Sequence, residues 1–83
     1  MFYMRNIIGS RVKQARLTHQ PKMTQQQLAT RLQLLGMSID RAGISKIENG
    51  IRTVTDIEIV ALAKSLQVTP GWLFSDSDSF ESD

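Results

Sequence analysis

Apolar residues recur along this chain at helical rather than strand spacing. Ile8, Val12 and Ala15 fall at i, i+4 and i+7, the repeat that lines one face of an α-helix. Asn6, just ahead of them, is a favourable N-cap. That first helix is expected to stop before Pro21, because a proline drives the residue before it out of the helical region. A second helix is predicted from Thr24, where Thr24 and Gln27 have the spacing of a capping box. Leu28, Leu32 and Leu35 then predict one apolar stripe, and Gly36 suits the left-handed residue that ends a helix. Asp40 is the predicted N-cap of a third helix, with Ile44 and Ile47 facing inward and Gly50 closing it.

Ile51 to Val60 is rich in β-branched residues and could pass for a strand. A second capping box at Thr55 and Glu58 decides against that, and Ile59, Leu62, Ala63 and Leu66 carry the helical period past it. Thr69 followed by Pro70 opens a short last helix, proline standing where its missing N–H costs least. Trp72, Leu73 and Phe74 would fold that turn back onto the core. The pattern predicts an all-α fold of five short helices, one domain over residues 1–74. At this size about 60% of the extended surface is buried, so every helix must share one core and a separate catalytic cleft is hard to fit.

Charge changes the picture more than composition does. The net charge of +2 hides ten positive and four negative residues between positions 1 and 74, followed by four acids in the last eight residues. A basic body of this kind attracts polyanions, since neutralising phosphates releases condensed counterions. The tail over residues 75–83 alternates serine with acid and lacks apolar surface to offset the entropy of ordering, so it is expected to be disordered. With no cysteine and one histidine, His19, there is no disulfide, thiolate site or metal cluster to propose, and no cofactor. The longest apolar run, Ile59 to Ala63, is five residues, against the roughly 20 a membrane span needs. Met1 to Gly9 is broken by Arg5 and Asn6 and does not read as a secretory signal. The expectation is a cytoplasmic, non-enzymatic protein with no membrane association.

Three segments, TQQQLATRL at 24–32, ISKIENG at 44–50 and VTDIEIVALAKSL at 54–66, together resemble the helix-turn-helix domain of bacterial regulators of the lambda repressor, Cro and XRE group. The resemblance runs from about Ile7 to Phe74. It implies a five-helix lambda repressor-like DNA-binding domain that takes double-stranded DNA as its partner. The second helix would then aim its N-terminus at a phosphate, with Thr24 and Gln25 in contact. The third helix, residues 40–49, would enter the major groove. Arg41 and Lys46 suit the guanine acceptors O6 and N7, Ala42 a thymine methyl, and Ser45 is a further base contact. Asn49, Arg52 and Thr53 would follow the backbone as phosphate contacts, which fix register rather than sequence. Arg16 and Glu48 match an arginine and a glutamate that pair between the first and third helices in similar domains.

The chain departs from the family pattern in places. Extra residues surround Gln20, Pro21 and Lys22, and Gln33 to Ile39 replace a short turn before the third helix, giving an extended connection between helices two and three. The loop before helix four has Val54 where proline is common. Gly43 within the third helix costs about 1 kcal/mol relative to alanine; it suits close approach of backbone to DNA or to a neighbouring helix, or is a tolerated flaw. The resemblance implies a sequence-specific transcriptional regulator, a repressor, acting as a homodimer. Trp72, Leu73 and Phe74 either form the dimer interface or seal the core. The alternative function is an antitoxin-like or adaptor module, with the acidic tail contacting a protein partner.

Overall fold

Each helix begins where a side chain can answer its unpaired N–H groups. The computed structural model describes residues 4–75, and the serine and acid tail from residue 76 onward lies outside them. The described chain forms α1 (Gly9–Thr18), α2 (Gln25–Leu34), α3 (Arg41–Glu48), α4 (Asp56–Leu66) and α5 (Pro70–Phe74), with no strand among them. Both predicted capping boxes are present: Thr24 with Gln27 opens α2, and Thr55 with Glu58 opens α4. Asp40 accepts the Gly43 N–H at 2.8 Å to start α3, and Thr69 accepts the Trp72 N–H at 3.0 Å ahead of Pro70. α1 differs from expectation. Asn6 stands outside the helix, and its Oδ1 accepts the N–H groups of Ile8 and Gly9 at 3.0 and 2.8 Å.

The ends of α2, α3 and α4 obey one rule. Gly36 and Gly50 sit at φ +85° and +77°, and the next N–H of each reaches back to the carbonyl three residues inside the helix end, Met37 to Leu32 and Ile51 to Lys46. Gln67 does the same for α4 at φ 61°, with Val68 bonding Ala63, although nothing in its side chain advertises a left-handed position. The predicted stripe of α2 is one residue too long. Leu28 and Leu32 are fully buried, whereas Leu35 lies past the last helical turn and is 47% exposed.

The core joins Ile8, just ahead of α1, Val12 of α1, Leu28 and Leu32 of α2, Ile44 and Ile47 of α3, Leu62 of α4 and Leu73 of α5, all at 1% exposure or less. Burying each such side chain contributes roughly 1.5–3 kcal/mol. α3 packs against both α1 and α2, while α4 backs α1 and α2, and α5 closes over α1 and α4. Leu73 is therefore part of the core and cannot serve a dimer interface. Trp72 is half-buried beneath the Arg11 guanidinium, 4.1 Å from the ring centre, which ties α5 to α1; Phe74 alone of the three stays exposed.

Two devices fix α3. Arg16 of α1 meets Glu48 at the end of α3 in a two-pronged pair, Nε to Oε2 at 2.7 Å and Nη2 to Oε1 at 3.0 Å, with side chains 10% and 3% exposed. Its remaining nitrogen donates to the Met23 carbonyl at 3.0 Å. The second device is the contact between the start of α1 and the end of α3. A Cβ at Gly9 would run into the Ile47 carbonyl oxygen, with the Glu48 carbonyl oxygen 3.0 Å away. Asn6 Nδ2 donates across the same junction to the carbonyls of Ile47 and Arg52 at 3.1 and 2.8 Å.

A further pair braces the loop after α3. Arg52 donates from both terminal nitrogens to Glu58, each at 3.1 Å, and to the Thr53 carbonyl at 3.0 Å. The hydrogen bond from Arg52 holds the Glu58 carboxyl below the ordinary glutamate range, the Thr55 backbone N–H assisting and partial burial opposing; Arg52 is raised by the same bond. The folded carboxyl thus ionises at lower pH than the unfolded one, near 4.3. Its stabilisation is complete above that value and is lost as pH falls through the folded one.

Three outcomes follow from these contacts. Glu48→Gln leaves the Arg16 charge buried without its partner and should cost about 3–5 kcal/mol, measured by urea denaturation; a loss under about 1 kcal/mol, the value of an exposed pair, would contradict the brace. Gly9→Ala gains up to about 1 kcal/mol of helix propensity but forces α1 off the α3 backbone, an overpacking cost of about 1–3 kcal/mol. The variant should be less stable than the parent, and equal or greater stability would show that the junction has room. The melting-temperature gap between the parent and Glu58→Gln should shrink as pH falls from about 6 to about 3; a gap independent of pH would dissociate Glu58 from the acid response.

Candidate nucleic-acid interface

The geometry of α3 follows from its two isoleucines. Ile44 and Ile47 are fully buried, which turns Arg41, Ala42 and Lys46 to solvent and leaves Ser45 half-exposed on the same outer side. None of the Arg41 or Lys46 side chains is held by a hydrogen bond or ion pair within the described residues. Asn49 and Thr53, beyond the helix end, are exposed as well. The four predicted base contacts and two of the predicted backbone contacts thus lie along one helix and the loop that continues it.

Gly43 has a structural account. A Cβ there would come within 2.9 Å of the Ile39 side chain and 3.3 Å of the Asp40 carboxylate. Ile39 is buried at 6% exposure. The glycine therefore lets the long α2–α3 connection pack under the first turn of α3, with its last apolar residue as the anchor. The glycine answers a close approach to a neighbouring segment.

The N-terminus of α2 adjoins the end of α3 through Gln25. Its Nε2 donates to Glu48 Oε1 at 3.1 Å, so the Arg16–Glu48 pair extends to a third helix. One of the two amide protons of Gln25 is committed there, and the second remains for an outside acceptor. The Thr24 backbone N–H is answered by Gln27 at 2.8 Å and the Gln27 N–H by the Thr24 hydroxyl at 3.0 Å. The backbone N–H groups of Gln25 and Gln26 are left at the helix end, where the helix dipole favours an anion.

Arg52, expected as a phosphate contact, donates from both terminal nitrogens to Glu58 and from one to Thr53, and so braces the loop while its side chain stays 30% exposed. A cation that the sequence pattern did not single out lies beside that loop. The Arg5 N–H donates to the Gly50 carbonyl at 2.7 Å, and Asn6 then bonds the Arg52 carbonyl, so the N-terminal arm is stitched along the end of α3. The Arg5 residue is exposed. A local motif does not reveal it, because the contact joins positions more than forty residues apart.

Among the described residues no helix is long and apolar enough to cross a membrane. The chain matches the family described as Helix-turn-helix over residues 12–73. No curated protein and no solved structure matches it. The family is one of DNA-binding regulatory domains, of Cro/C1 type and lambda repressor-like fold, and is not typically enzymatic. The match takes in α2, α3, the buried pair between them and α1, and the helices that back them. The chain belongs to this Cro/C1-type helix-turn-helix family, and is a DNA-binding regulator by that membership.

Proposed function

We propose that the protein is a sequence-specific transcriptional repressor of the cytoplasm that occupies its operator as a homodimer, α3 of each copy lying in the major groove. The observation that carries this reading is the division of α3: two fully buried isoleucines on one side, and Arg41, Ala42 and Lys46 unencumbered on the other. Arg41 and Lys46 offer donors matched to guanine O6 and N7, Ala42 an apolar contact for a thymine methyl, and Ser45 a hydroxyl for either kind of edge.

Backbone contacts are supplied from three directions in this reading. Gln25 and Gln26 offer N–H groups, and Thr24 its hydroxyl, at the start of α2. Asn49 and Thr53 flank the loop after α3. Arg5 adds a cation at that loop beside Arg52, whose guanidinium is oriented by Glu58. Such contacts set the register of the protein on the duplex, and the α3 flank selects sequence.

The test separates the two sets. Duplex DNA should bind the parent with log K falling linearly against log salt, at about −0.9 per neutralised phosphate; a flat response would contradict DNA as the ligand. Arg41→Ala and Lys46→Ala should each cost about 1–3 kcal/mol on the selected operator and far less on random duplex. Equal loss on both would reassign these residues to the backbone. Arg5→Gln should weaken both duplexes alike and flatten the salt slope by about 0.9, and an unchanged slope would remove Arg5 from the interface.

A further inference from the structure

α4 carries an unusual outer face. Its inner arc, Leu62, Ala63 and Leu66 with Ile59, packs on the core. An amphipathic helix would present polar residues on the opposite side. Here the exposed positions of α4 are Asp56, Ile57, Val60 and Lys64. Ile57 is 65% exposed and Val60 46%, and Leu35, 47% exposed, lies beside them across a groove of about 320 Å³ that also takes in Met37 and Ala61. Leu35 and Met37 come from the long α2–α3 connection, so the extension both anchors α3 through Ile39 and adds apolar surface to α4.

The charges bounding this face are arranged symmetrically. Asp56 lies four residues before Val60 and Lys64 four residues after, and at 3.6 residues per turn all three share one side of the helix. Within α4 neither charge has an opposite charge three or four residues away, since Ile59 and Val60 follow Asp56 and Val60 and Ala61 precede Lys64. Neither enters an ion pair among the described residues, and Asp56 accepts only from the N–H of Ile57, at 2.7 Å.

We propose that this face binds a second copy of the chain, the two α4 helices antiparallel across a two-fold axis at Val60. In that register position 60+k of one helix faces 60−k of the other. Asp56 of each protomer then meets Lys64 of its partner, and Ile57, Val60 and Leu35 are enclosed between the two charge pairs. A two-fold interface must be self-complementary, and a helix with an acid and a base at equal distances from an apolar centre satisfies that condition by itself. The pairing deepens the homodimer reading above and rests on it, replacing α5 as the contact. A further exposed apolar patch, Met4, Ile7 and Phe74, adjoins chain outside the described residues at both ends and carries no such argument.

Sedimentation equilibrium on the full chain tests this. The parent should show a reversible monomer–dimer equilibrium. Val60→Asp, a change at an exposed position that should leave circular dichroism and melting intact, should raise the dimer Kd by about a hundredfold. Asp56→Lys and Lys64→Asp should each raise it by roughly tenfold by setting like charges opposite, and the double swap should recover most of that loss. A parent that stays monomeric up to millimolar concentration, a dimer indifferent to Val60→Asp, or a double swap no better than the single ones would overturn the proposal. Salt-dependent binding to random duplex is read separately. Its retention in Val60→Asp keeps the α3 reading whatever the dimer does, and its absence in the parent would sink the DNA reading without touching the pairing.

Discussion

The orientation of α3 depends on a buried carboxylate. Glu48 takes two hydrogen bonds from Arg16 and one from Gln25, so a single side chain at the end of α3 fastens it to α1 and to the start of α2. A surface pair could not do this, because in water the Coulomb gain is small and side-chain entropy works against a fixed geometry. At 3% exposure the carboxylate has lost most of its water and must keep every protein donor it has. In the proposed function this fixation matters, since a small misplacement of α3 would spoil bidentate contacts to base edges.

Around this point the chain builds outward by backbone contact. The absence of a side chain at Gly9 brings α1 onto the last carbonyls of α3, and Asn6 spans the junction with donor and acceptor in opposite directions. Arg52 and Glu58 then hold the following loop against the start of α4, where Glu58 also completes the capping box. Helix end, loop and N-terminal arm are thereby one unit. Its outward groups belong to Arg5, Arg41, Lys46, Asn49 and Thr53.

What the sequence disclosed is what short-range chemistry decides. Thr24 with Gln27, Thr55 with Glu58, Asp40 and Thr69 each act within one helical turn, and Gly36 and Gly50 take the backbone angles that favour glycine, so these elements could be read before any packing was known. The Arg16–Glu48 pair was legible through family resemblance, since thirty-two positions separate its members. The failures share a cause. Leu35 looks like core in a helical repeat but lies past the helix end; Leu73 looks available beside Trp72 and Phe74 but is the one that turns inward. In each, a neighbour supplied by tertiary folding settles the role. Gln67, left-handed without being glycine, lies where α4 gives way to α5 and leaves no local mark.

In the proposed function α3, its loop and the start of α2 meet DNA as one surface, which backbone amide chemical shifts followed through a duplex titration would reveal. Perturbations are expected at Gln25 and Gln26, along Arg41 to Lys46, and at Asn49 to Thr53 with Arg5, while the amides of Trp72 and Leu73 stay still. Shifts concentrated on α4 and α5 with α3 unperturbed would contradict it.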